Sequence, residues 1–107
     1  MMNIRCFLVV VALAAAPSVA IAQDAMTGGM AIMEKMMSSM HGMKPSGDPD
    51  MDFAMMMIPH HQSAIDMAKV QLEQGDDPQL RAMAEEIIAA QETEIEELKA
   101  WLAEHGH

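Results

Sequence analysis

Three consecutive methionines, Met55, Met56 and Met57, stand about one helical turn before the adjacent histidines His60 and His61, and Met67 follows seven residues after His60. Residues three and four apart share a helix face. The spacing therefore sets Met56 and Met57 beside His60, and Met57 beside His61 as well. Thioether sulfur suits Cu(I), and imidazole suits copper, zinc, iron and nickel. These residues describe a soft metal site built from Met56, Met57 and His60, with His61 or Met67 completing it. Taken singly, each has a plainer role, since a methionine on an apolar face is ordinarily core and a histidine is ordinarily a satisfied surface or core residue. Their concentration in one short stretch is what points to a metal. Gln91 or Glu94, further along the chain, can hold an imidazole N–H in place behind such a site.

A second group lies upstream. After residue 22 the chain has 13 methionines, and eleven of them fall between Met26 and Met57, so the clustering needs a cause. Met26, Met30, Met33, Met37 and Met40 step by four and three, which is a helical seam. Ile32, Met36 and Met43 add to its edges. Flexible core filling explains methionine in general, but filler would include leucine, and this segment has none. The group Met36, Met37, Met40, His41 and Met43 is the best second set of metal ligands. A hydrophobic docking surface is the other use such a seam can have.

Other metals fit less well. Structural zinc draws on cysteine with histidine, and calcium and magnesium need clustered oxygens. A di-iron bundle needs glutamate three residues before histidine, whereas Met57 and Ile58 occupy those positions. Cu(I), with Ag(I) as its soft analogue, is the cofactor these residues call for. No phosphate loop, dinucleotide fingerprint or nucleophile–base motif is present, so the reading is of a binding protein and not an enzyme.

The elements that must position these residues can be read in turn. Residues 1–22 have the pattern of a secretory signal: Arg5, an apolar run from Phe7 to Ala16, and Ala20-Ile21-Ala22 as the cleavage site. Cys6, the only cysteine, would leave with it. Export implies an oxidising, periplasmic or extracellular setting, where thioethers cannot be lost to disulfides. The 85 residues that remain carry a formal charge of −11, since Arg5 is the only charged residue removed. That acidity argues against nucleic acid and anionic membranes as partners, and no membrane association is expected once the signal is gone. A core of this size is marginal without metal or oligomerisation.

Residues 23–50 read as a methionine-rich helix and linker, and residues 51–107 as a helical hairpin that binds the metal. Gly28 and Gly29 weaken the first turn, so the first helix is predicted to begin near Met30 and end at Gly42. Lys44 to Asp50 is a turn or linker. The second helix is predicted over about Asp52–Gln74, capped by Asp50 or Asp52. Its stripe is Phe53, Met57, His60, Ala64, Met67 and Gln71, beside a second stripe of His61, Ile65, Ala68 and Leu72. Pro59 lies inside, and because the apolar stripe keeps its phase across it, a continuous, kinked helix is expected. Asp77 and Pro78 start the third helix, which runs to about Glu104 with Leu80, Ala84, Ile87, Gln91, Leu98 and Trp101 towards the core, widened by Met83, Ile88, Ile95 and Leu102.

The run Met56-Met57-Ile58-Pro59-His60-His61-Gln62, continued by Ala64-Ile65-Asp66-Met67-Ala68, resembles the signature of the domain-of-unknown-function 305 family. Ala84, Ile87-Ile88, Gln91, Glu94-Ile95 and Trp101-Leu102 resemble its second motif. The resemblance implies an all-α fold of ferritin-like, four-helix-bundle type, and copper, because several members are periplasmic copper-binding or copper-resistance proteins. Longer relatives resemble duplicated units that close the bundle in one chain, whereas this chain has one antiparallel two-helix hairpin and an added N-terminal methionine helix. Either that helix covers the open apolar faces or a homodimer does. The expected function is sequestration or transfer of Cu(I), received from or passed to a copper exporter or another periplasmic copper protein. The alternative is a helical interaction or dimerisation module with a methionine-rich docking surface.

Overall fold

The computed structural model describes residues 17–106, with side chains from Gln23 onward. The signal-peptide reading falls largely on residues 1–16, outside the described residues. Three helices follow in order: α1 (Pro17–His41), α2 (Pro49–Gln74) and α3 (Pro78–His105). None of them is long and apolar enough to cross a membrane. The described chain is all-helical, as its patterning predicted.

α1 does not begin near Met30; it runs unbroken through Gly28 and Gly29. Two glycines cost a helix interior roughly 1 kcal/mol each. Packing on α2 offsets that cost; a Cβ at Gly28 would lie 3.9 Å from the Val70 side chain, in ordinary van der Waals contact. After Gly42 the chain turns through residues 43–48, and Gly47 adopts φ 91°, a conformation that glycine takes without a Cβ clash.

α2 starts earlier than predicted, and neither Asp50 nor Asp52 is its cap. Asp48 is: its side chain accepts from Asp50 N at 2.9 Å, and Pro49 takes the first helical position. Proline suits that position because its missing N–H would have had no helical partner and its φ is already helical. Asp50 and Asp52 instead place negative charge in the first turn, where the helix dipole favours it. Asp52 also accepts from Ser46 N at 2.9 Å, strapping the loop to the helix. α2 continues through Pro59, so the Met55 carbonyl loses the N–H it would normally accept from.

Asp77 caps α3, accepting from Leu80 N at 2.9 Å, with Pro78 behind it. The α2–α3 turn is pinned by Arg81, whose Nη1 donates to the carbonyls of Leu72 at 2.7 Å and Gly75 at 2.9 Å. At the far end, the rings of Trp101 and His105 stack with centroids 4.3 Å apart.

α2 is the central element. α1 and α3 each pack along it, and among the described residues they do not pack on each other. The buried apolar side chains are Ala54, Ile65 and Ala68 of α2 with Ala84 and Ile95 of α3. Three of these five are alanine, so the helices approach closely and enclose little. Among the described residues no large side chain is fully buried.

On α1 the inward stripe sits one residue out of phase with the expectation, on α2 it is the second of the two expected stripes that is inward, and on α3 most of the expected face is inward. On α1 the side towards α2 carries Ile32, Met36, Met40 and Met43, while Met26, Met30, Met33 and Met37 of the expected seam are exposed. On α2 it is the His61, Ile65, Ala68 stripe that is buried, and Phe53 and Met67 are exposed. On α3, Ala84 and Ile95 are buried, whereas Leu80, Met83 and Ile87 are open.

Candidate metal centre

α2 divides the expected ligands between two grooves. Towards α3, a cleft of about 690 Å³ is lined by Met57 and His61 of α2, Glu94 and Trp101 of α3, and by Asp50 and Phe53 near the mouth of the hairpin. His61 is only 9% exposed. Its Nε2 pairs with the Glu94 carboxylate, and its Nδ1 is buried with no hydrogen-bond partner. A neutral imidazole that donates Nε2–H to a carboxylate carries its free lone pair on Nδ1. Such a carboxylate fixes the ring and raises its basicity as a metal ligand. Met57, one turn earlier on the same side of α2, brings a thioether into the same cleft. Glu94 is therefore the partner of the imidazole, and Gln91 is not; the Gln91 side-chain carbonyl is buried without a partner of its own.

Towards α1, a pocket of about 210 Å³ brings together Met40 and Met43 from the end of α1 and the following loop with Met55 and Met56 of α2. Asp52, Lys44 and Pro45 complete its wall. Four methionine side chains, from α1, the loop after it and α2, thus line one small space. Met55 was not among the ligands expected from the sequence. Only the folding of α1 back onto α2 sets it opposite Met40 and Met43, and helical spacing within one segment carries no such information.

The remaining candidates lie apart from these two places. His60 is exposed; its ring centroid is 6.0 Å from that of His61 and the planes are tilted by 58°. Met56 lines the pocket towards α1 and is 44% exposed at its rim, so Met56, Met57, His60 and His61 do not share one face. Met67 is 45% exposed and Met37 is 48% exposed, and His41 is exposed at the end of α1. Met36 packs on α2, where its sulfur lies 3.1 Å from the Ser63 hydroxyl. That hydroxyl also lies 2.6 Å from the His60 carbonyl, so one proton serves two acceptors. Among the described residues, no three His, Cys, Asp or Glu side chains converge. The donors that do converge include sulfur, which favours a soft ion over zinc or di-iron chemistry.

An all-helical chain with a central helix bearing a methionine–histidine cleft on one side and a methionine pocket on the other is the class these observations define. The chain belongs to the DUF305 family, a domain of unknown function, whose model matches residues 12–102. No curated protein matches it.

Proposed function

We propose that this protein is an exported copper-binding protein that sequesters or hands over Cu(I), with Ag(I) as its analogue, in copper resistance or homeostasis. The observation that carries the proposal is the α2–α3 cleft. Met57 and His61 line it together, Glu94 holds the imidazole by one nitrogen, and the other nitrogen is buried with its lone pair unused. The Met40, Met43, Met55 and Met56 pocket supplies a second set of soft donors, all neutral. No catalytic residue is assigned. Delivery would be to an exporter or another periplasmic copper protein.

The test is an anaerobic Cu(I) titration against a competing chelator. A Met57→Leu, His61→Ala variant should lose the component bound through nitrogen. Glu94→Gln should weaken that component by about 10–100-fold while leaving its ligands in place. Copper K-edge absorption should report sulfur together with nitrogen. Binding no stronger in the natural chain than in the double variant would reject the proposal.

A further inference from the structure

Among the described residues, ten large apolar side chains are between 38% and 67% exposed, and they fall into three stripes, one per helix. On α1 they are Met26, Met30, Met33 and Met37. On α2 they are Phe53, Met56 and Met67, and on α3 Leu80, Met83 and Ile87. Steps of three, four or eleven keep each stripe on one side of its helix.

The three stripes open on the same broad face of the molecule. Trp101 and Glu94, fourteen and seven residues after Ile87 and so in phase with it, line the α2–α3 cleft beside Phe53. The small groove between α1 and α2 that is lined by Lys35, Gln62 and Asp66 opens the other way. Lys35 lies roughly half a turn from the Met26–Met37 stripe of α1, and Gln62 half a turn from Phe53 on α2. The layer therefore has one polar face and one apolar face. The exposed acids Glu85, Glu86, Glu92 and Glu96 lie off the apolar stripe of α3.

We propose that a second copy of this chain covers the apolar face, giving a homodimer of two three-helix layers. Helical layers are stable when their apolar sides are packed against another layer. Among the described residues the layer has no other layer, because α1 packs beside α2 and not on α3. At about half of a side chain's surface each, the ten residues open on the order of 1,000 Å², against the roughly 800 Å² per partner of a standard interface. The ten side chains are all apolar; the carboxylates on this face, Asp50, Glu94 and Glu97, line the α2–α3 cleft, where Glu94 is paired with His61, so two copies can meet on the stripes around that cleft and keep Glu85, Glu86, Glu92 and Glu96 outward. A two-fold pairing of the same face covers both copies at once. A formal charge of −10 makes an anionic lipid surface the wrong occupant. The pairing does not depend on copper, although it would place each α2–α3 cleft under the partner.

The test is sedimentation equilibrium of the protein as its cells accumulate it, with a Cu(I) chelator present, from micromolar to submillimolar concentration. The expected mass is twice that given by denaturing mass spectrometry. Ile87→Glu combined with Met30→Glu should give the single-chain mass, and Lys35→Glu, on the polar face, should leave it doubled. Should the paired variant lose its helical circular dichroism, peroxide footprinting of the unaltered chain decides: Met33 and Met83 should oxidise more slowly as concentration rises. A single-chain mass throughout, oxidation independent of concentration, or a single chain that co-sediments with phosphatidylcholine vesicles would overturn the proposal.

Discussion

The two sides of α2 are built differently. Towards α3 the contact is directional. Arg81 ties the turn to two carbonyls, Asp77 caps the incoming helix, His61 meets Glu94, and alanines let the backbones approach. Towards α1 the contact is made by methionines, with one serine–sulfur contact and a pair of glycines in the helix. Methionine has three rotatable bonds and no branching, so it fills gaps without fixing their shape. The lesson is a division of labour. The hairpin is a frame that sets the direction of one imidazole, whereas the α1 side is filled by side chains that leave its shape less fixed.

Three changes break or sharpen this contrast, in decreasing order of effect. Ile65→Ala removes a side chain that is 2% exposed. It should cost about 2–5 kcal/mol, seen as an early midpoint in urea unfolding followed by circular dichroism. Arg81→Ala takes a charged donor from the carbonyls of Leu72 and Gly75 and should cost roughly 1.5–3 kcal/mol. The same measurement should show it, with the loss of hydrogen-exchange protection greatest around Gly75. Gly29→Ala should act in the opposite direction. A Cβ there meets nothing within 4 Å, so the substitution should stabilise α1 by about 0.4–1 kcal/mol. Slower exchange confined to α1 is the expected readout, and no gain there would mean that α1 is already as firmly held as the hairpin.

Much of the fold could be read from the chain. Asp77-Pro78, Gly75 and the unbroken phase across Pro59 gave the hairpin, and the pairing of a histidine with Glu94 was among the expected contacts. Three features were hidden for a physical reason. Met36 stands beside Met37, Met56 beside Met57 and His60 beside His61, so shifting the helical phase by one residue, or about 100°, leaves an equally apolar stripe. The pattern alone therefore could not say which member of each pair faces a neighbour. The contacts of α2 resolve it: Met36, Met57 and His61 turn inward, while Met37 and His60 are exposed and Met56 lines the pocket towards α1. The cap moved to Asp48 because Pro49 pre-sets the first turn. Met55 joined Met40 and Met43 only through tertiary folding.

The indole of Trp101, stacked on His105 and lining the α2–α3 cleft, gives the molecule a reporter of its own. Trp101 is the sole tryptophan and the chain has no tyrosine, so near-ultraviolet emission comes almost wholly from one ring at the edge of one cleft. Whatever settles there, an ion or a neighbouring chain, changes the surroundings of that ring before it changes any other optical signal the protein has.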